Sequence, residues 1–360
     1  MDYLSITAEA LGLSRSTVCR AINRSQYISL DTQKRILAYI REHFPEKLEN
    51  RRLLEQVKRK AKKNITVIMP CKPRFFWDAA LEGMKEAFRG FISKDIDVKY
   101  VFFSGVLSET ELLNILSSLN IDQIDALALV PIDGEHITTK LSEIAQKIPV
   151  AFFNEYCDCD SFISVTSDGY REGAEIAKML LSEVEDNASV LLMQTISYRS
   201  RIIDARIRGF TETIRAKSSE RGICLDICTV NPTDGQNGTG DKYHYNTLMP
   251  SLFARKIAEK VAEQHTAGHR LRAIYIPNGE LDPLFGALRK LKQQDLLTYG
   301  HEVSPQAIDS FMNGCRGGYV RQDIYMQGYV VMESLAALLS NNEKRYPNTV
   351  LTRFDSCQFK

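Results

Sequence analysis

From Ile65 onward the chain alternates short β-branched apolar runs with longer amphipathic stretches, which restricts it to a layered α/β architecture. Strands are predicted at 65–69, 98–103, 126–130, 150–154, 162–165, 190–193, 224–230, 273–276 and 319–320. Helices are predicted between them, at 79–91, 109–119, 137–148, 172–181, 206–217, 252–264 and 283–292. Such alternation implies parallel sheets with right-handed crossovers. Residues 65–360 are too many for one comfortable core, so two lobes are expected. Ligands of such folds bind at the carboxyl ends of strands, here in the cleft between the lobes.

The first 45 residues follow a different pattern and read as an all-α unit. In Thr7 to Asn23, TAEALGLSRSTVCRAIN, Gly12 ends one helix by taking a positive φ, and Ser14 caps a second. Val18 and Ile22 lie four apart and face inward with Leu11 and Leu13. Arg15, Ser16, Thr17 and Arg20 remain near the exposed start of the second helix, where a recognition helix touches base edges. A third helix from about Ser29, carrying Ile36, Leu37 and Ile40, closes a core too small to fold strongly alone.

Charge divides the chain in the same place. Over residues 1–63, 14 Lys and Arg face 7 Asp and Glu; the whole chain carries +1, so the remainder carries −6. The basic end suits DNA and the acidic body does not. At 44% hydrophobic and 25% charged, the composition is that of an ordinary folded protein. No apolar run approaches the ~20 residues a membrane span needs, and no basic-then-apolar leader opens the chain, so a cytoplasmic location is expected. The eight cysteines lack zinc-type spacing and are expected to be reduced thiols.

Enzyme motifs are missing. There is no GxSxG elbow, P-loop or HExxH, and Gly235, Gly238 and Gly240 have the wrong spacing for a dinucleotide turn. No catalytic residue, cofactor or metal is expected.

The run LGLSRSTVCRAIN, followed by Tyr27-Ile28-Ser29 and Thr32, resembles the DNA-binding headpiece of the lactose/galactose repressor family, roughly AGVSxxTVSRxxN and then VSxxTR. Cys19 replaces a serine. The resemblance implies that Arg15 and Ser16 read bases, with Thr17 beside them. Arg20 would touch a base or a phosphate, and Asn23 and Ser29 would orient on the backbone. In the family a hinge helix, YxPNxxARxL, follows. Its counterpart here is Phe44-Pro45-Glu46-Lys47-Leu48-Glu49-Asn50-Arg51-Arg52-Leu53, with Arg51 in register and Leu53 as the apolar wedge for the minor groove. Proline stands one position early, Lys47 and Asn50 replace Asn and Ala, and LLEQVKRKAKKN makes the linker longer and more basic. A continuous basic helix from Glu49 to Lys62 that tracks phosphates, or a solvated linker, are the alternatives.

Six further segments, in order, resemble the periplasmic sugar-binding-protein-like effector domain of that family. They are Phe76-Trp77-x5-Gly83-Met84-x2-Ala87, Ala126 to Pro131, Ile148 to Asn154, Val165 to Gly173, Arg206-x-x-Gly209-Phe210, and Val320-Arg321-Gln322-Asp323-x-Tyr325-x2-Gly328-Tyr329. By this resemblance Phe76 and Trp77 sandwich a sugar ring, and Arg206 clamps ring or hydroxyl oxygens with its fixed donors. Asn154 and Glu155 stand near the family's usual Asp. Asn278 matches a hinge-side amide, Gln322 a hinge glutamine, and Glu302 replaces an aspartate. Arg74, two residues before Phe76, would favour an acidic or phosphorylated ligand. Asp168 matches a structural residue at an interlobe crossover.

The expected organisation is a helix-turn-helix headpiece at 1–45, a hinge or basic linker at 46–64 and an effector-binding core at 65–360. Its N-lobe would comprise about 65–165 and 323–345, its C-lobe about 166–322 and 346–360. The expected function is that of a homodimeric transcriptional regulator. It would bind a near-palindromic double-stranded operator under control of a sugar or sugar derivative, without a membrane partner. The alternatives are a DNA-binding regulator with a degenerate pocket governed by a protein partner, and a sugar-binding receptor.

Overall fold

A computed structural model describes residues 2–22, 28–48, 63–90, 96–103, 108–156, 162–195, 200–231, 245–340 and 348–360. The chain divides into two units, Met1–Lys62 and Lys63–Lys360. Among the described residues no helix is long and apolar enough to cross a membrane.

The first unit is built from α1 (Tyr3–Leu11), α2 (Arg15–Ile22), α3 (Leu30–His43) and the single turn α4 (Pro45–Leu48). Each boundary has a local cause. Asp2 caps α1 by accepting from Ser5 N, and Gly12 ends it at φ 65°, a conformation that only glycine adopts without cost. Ser14 Oγ accepts from Thr17 N at 3.0 Å, opening α2, and Ser29 Oγ accepts from Thr32 N at 3.2 Å, opening α3. Val18, Ala21, Ile36 and Ile40 are fully buried among Ala8 and Ile22, with Leu11 and Leu13 closing the edge. Asn23, Arg51, Leu53 and the linker from Glu49 to Lys62 lie outside the described residues.

The second unit holds two six-stranded sheets. Its elements are β1 (Lys63–Pro70), α5 (Arg74–Gly90), β2 (Ile96–Phe103), α6 (Glu109–Ser118), β3 (Ala126–Leu129), α7 (Glu135–Ala145), β4 (Val150–Phe153), β5 (Ile163–Ser167), α8 (Gly169–Glu183), β6 (Ala188–Thr195) and α9 (Arg201–Arg221). They continue with β7 (Cys224–Val230), α10 (Tyr245–Thr266), β8 (Arg270–Tyr275), α11 (Leu281–Leu291), β9 (Leu297–His301), α12 (Pro305–Met312), β10 (Gly317–Gln322), α13 (Ile324–Leu339), β11 (Thr349–Thr352) and β12 (Phe354–Phe359). The first sheet runs β11-β5-β4-β3-β1-β2 and is parallel throughout. The second runs β12-β10-β9-β8-β6-β7 and is parallel except for antiparallel β12 at its edge. Each sheet is covered on both faces by apolar clusters, as parallel sheets require.

The chain passes between the lobes three times, at Asp168, Asp323 and Arg353. The first two crossings share one device. Asp168 Oδ1 accepts from Arg171 N and Asp323 Oδ1 from Met326 N, each at 3.0 Å, so an aspartate starts the helix that enters the other lobe. Asp323 N also donates to Arg353 O at 3.1 Å, tying the second crossing to the third.

Several expectations are corrected. Strand β9, LTYGH, is buried mid-sheet but carries too little apolar content to be read as a strand. Helix α13 is apolar on nearly every face, so it has no amphipathic period. Helix α12 is only 8 residues long. The C-terminal segment does not belong wholly to the C-lobe, because β11 pairs in parallel with β5 in the first sheet and only β12 joins the second. Helices α5 and α9 begin five residues earlier than their apolar periods suggest. Ser200 accepts from Ile203 N to start α9, and Arg206 therefore sits inside the helix rather than at its start.

Candidate functional site

The carboxyl ends of the strands in both sheets meet around the three crossings. Asn154 follows β4, Thr195 ends β6, Asn278 and Glu280 follow β8, Glu302 follows β9 and Gln322 ends β10. Asn154 and Glu302 both take left-handed backbone conformations, φ 63° and 52°, which are costly for a side-chain-bearing residue and cluster at functional sites.

Gln322 joins these two residues. Its Nε2 donates to Asn154 Oδ1 at 2.9 Å and to Glu302 Oε1 at 2.8 Å. Its Oε1 accepts from Gln327 Nε2 at 2.7 Å and from Ser167 Oγ at 3.3 Å. Gln327, fully buried on α13, also donates to Thr352 Oγ1 at 3.3 Å and accepts from Asn154 N at 2.9 Å. One glutamine pair therefore ties together residues beside all three crossings, Ser167, Gln322 and Thr352. Every amide group of the pair is used, the condition under which a buried polar network stabilises one arrangement.

Arg206 anchors the second-lobe side. Its Nε donates to Glu172 Oε2 at 2.7 Å, its Nη2 to Glu302 Oε1 at 2.8 Å and its Nη1 to Pro277 O at 3.3 Å. Burial alone would lower the Arg206 pKa, but Glu172 and Glu302 outweigh it and raise it, so the guanidinium is a fixed cation. Two carboxylates share this one cation. Burial pushes Glu302 up to about 7 against the pull of Arg206. His301 is completely buried, with Nε2 2.9 Å from Tyr275 Oη. Burial, and then Arg206, hold its pKa well below the ordinary value, so its 3.9 Å approach to Glu172 is no ion pair.

Glu155 makes another direct contact between lobes. It follows β4 in the first lobe, accepts from Ser200 Oγ, and receives Ile202 N at 3.4 Å at the start of α9 in the second. Burial raises its pKa to about 7, opposed by these hydrogen bonds. Beside it Arg201 reaches Asp133 Oδ1 across 3.3 Å.

The other expected contacts are placed differently. Phe76 and Trp77 are 9% and 7% exposed and belong to the first-lobe core. They meet edge to face at 4.8 Å, with Trp77 edge-on to Phe153 at 6.3 Å, so most of each ring is spent on packing. Arg74 is exposed at the start of α5 and pairs with Asp78 at 3.1 Å. The surface recesses also lie beside the network. One of ≈ 560 Å³ runs along α7, lined by residues including Asp133, Thr138, Ser142 and Arg201, and a small one of ≈ 20 Å³ adjoins Glu155 and Arg201. The converging charges and unpaired acceptors nevertheless gather at the network.

Sequence reading missed Glu172, Thr195, Glu280 and Gln327. A signal existed for Glu172, which shares an apolar helical stripe with Ile176 and Leu180. A charge on such a stripe needs a buried partner.

In the first unit, Arg15 opens α2 and its Nη2 donates to Asp2 Oδ2 at 2.6 Å. Ser16 Oγ and Thr17 Oγ1 each lie 2.8 Å from Ser14 Oγ, and Arg20 and Ser29 are exposed.

Two lobes with parallel sheets, three crossings and polar groups at the facing strand ends define a two-lobed binding protein. The chain belongs to the periplasmic binding protein domain family, whose model matches residues 65–344. Comparison with curated proteins gave no match. Among solved structures, a carbohydrate transporter solute-binding protein from Agrobacterium radiobacter in complex with D-arabinose is similar, with TM-score 0.67 and 16% identity over 83% of this chain and 95% of that one. A putative LacI transcriptional regulator from Bacteroides fragilis gives 0.63 and 14% over 82% and 97%. The transcription regulator CcpA of Lactococcus lactis gives 0.61 and 14% over 82% and 98%. The fold is thus shared by sugar transport proteins and by regulators.

Proposed function

We propose that the protein is a cytoplasmic, non-enzymatic transcriptional regulator of the lactose/galactose repressor kind. It binds a near-palindromic operator as a homodimer and is controlled by a sugar-like effector between its lobes. What supports this reading is that one chain holds both a two-lobed periplasmic-binding-protein fold and an N-terminal helical unit whose capped, polar α2 resembles a recognition helix in sequence. A transport receptor has no use for such a unit. Headpiece at 1–45, linker at 46–64 and core from 65 are the corresponding functional parts.

In this reading Arg15, Ser16, Thr17 and Arg20 face the major groove, Asn23 and Ser29 orient on phosphates, and Arg51 and Leu53 serve the hinge. Effector closes the cleft around Asn154, Glu155, Arg206, Asn278, Glu302 and Gln322, and differential affinity for the two lobe arrangements sets the response.

The engagement of Arg206 with Glu172, Glu302 and Pro277 O favours a second reading, a pocket that has lost its sugar and answers to a protein partner. Gel shift on the upstream region of the protein's own gene, with and without a panel of monosaccharides, tests both. Operator binding that a sugar alters supports the first. Operator binding with no sugar bound in isothermal titration supports the second, and no sequence-specific DNA binding defeats both.

A further inference from the structure

Three side chains at the strand ends of the second lobe offer unpaired oxygens. Asn278 Nδ2 donates to Thr195 Oγ1 at 2.9 Å. Asn278 is only 8% exposed, yet its Oδ1 has no partner. Glu280 Oε2 is likewise buried and unpaired, as is Glu302 Oε2 on a side chain 10% exposed. These three oxygens stand at the carboxyl ends of the neighbouring strands β8 and β9, and Gln322 links Glu302 across to Asn154 of the first lobe.

The charge balance has the same sign. Glu172 and Glu302 share the Arg206 guanidinium, while His301 is held neutral. Among the described residues Glu280 has no cationic partner: burial raises its pKa to about 7, opposed by Thr195. A buried carboxylate without a cation is unfavourable, so the site gains most from a ligand that brings positive charge and N–H donors. Among the described residues no three His, Cys, Asp or Glu side chains stand close enough to hold a metal ion.

We infer that the effector is an amino sugar, a polyhydroxylated ring whose ammonium group is received by Glu280, Asn278 Oδ1 and the free oxygen of Glu302. This rests on the sugar-binding reading above and narrows it. It differs from the acidic or phosphorylated ligand expected from Arg74, which stands exposed at the start of α5 with Asp78 at 3.1 Å.

The test is isothermal titration of the full-length protein at pH 7.5 with matched pairs: D-glucosamine and D-glucose, D-galactosamine and D-galactose, D-mannosamine and D-mannose, with D-glucuronate and glucose 6-phosphate as anionic controls. At least one amine should bind about tenfold more tightly than its parent sugar, and the anions should not bind. Glu280→Gln and, separately, Glu302→Gln should each lower that ratio. A parent sugar or an anion binding as well as the amine overturns this inference while leaving the sugar-binding reading intact. No binding by any sugar overturns both. Should either variant fail to fold, the wild-type ratios and the other variant still decide.

Discussion

Arg206 and Glu172 form an ion pair 2.7 Å long in which the side chains are 3% and 0% exposed. The pair joins α9 to α8 inside the second lobe and points Nη2 at Glu302 on the cleft side. Arg206 is therefore held from behind by one carboxylate while it positions another. Glu172→Met should leave Arg206 with half its charge compensation, at a cost of about 3 kcal/mol in urea unfolding. Arg206→Met paired with Glu172→Met should cost less than the sum of the single changes, because the double variant buries no lone charge. Strict additivity in that cycle would show that the pair does not interact.

The same two helices meet with almost no space between them. A Cβ on Gly173 would lie 1.9 Å from Arg206 O. Gly173→Ala should force α8 and α9 apart, lower stability by ~1–3 kcal/mol, and weaken effector binding by shifting Arg206. Thermal unfolding and titration on one sample check both effects. An unchanged melting temperature would contradict the packing.

The architecture was legible in the sequence because buried parallel strands are continuous apolar runs, as in Ala126–Leu129 and Val150–Phe153. Strand β9 was not, because its Thr298, Tyr299, Gly300 and His301 are buried by their neighbours rather than by their own hydrophobicity. Residue matching drew Asn154, Arg206, Asn278, Glu302 and Gln322 into one neighbourhood, but it could not tell which partners each would choose. Arg206 turned to Glu172 and Trp77 to Phe153, since pairing depends on helix phase and on contacts far apart in sequence. The Gln322–Gln327 bond is local, five residues apart, yet it spans a strand end and a helix start and so has no periodic signature.

Stability should fall as pH rises through neutrality. Burial raises Glu155, Glu280 and Glu302 each from 4.5 to about 7 in the folded protein. Between these values the folded form keeps protons that the unfolded chain has lost, so it binds more of them and is favoured by lower pH. The contribution is full below pH 4.5 and is lost as pH passes about 7. Urea midpoints should therefore be higher at pH 5 than at pH 8, with a slope that flattens in Glu155→Gln and in Glu302→Gln. A midpoint that climbs over this range in the wild type would contradict the burial of these carboxyls.

In the first unit the Arg15 guanidinium lowers the Asp2 carboxyl below the ordinary range, and Asp2 in turn occupies the donor proposed to read a base. The pair is exposed, so DNA phosphates and bases compete with Asp2 for Arg15. Asp2→Asn keeps a side chain able to cap α1 but removes the competing charge, and it should tighten operator binding severalfold. Arg15→Ala should weaken it tenfold or more and relax discrimination at one base pair, whereas Arg20→Ala, if that residue meets only phosphate, should weaken all sequences alike and reduce the salt slope by about 1. Gel shifts with the operator and with scrambled DNA over a salt series separate these effects. If Asp2→Asn and Arg15→Ala both leave the affinity unchanged, Arg15 does not face the bases.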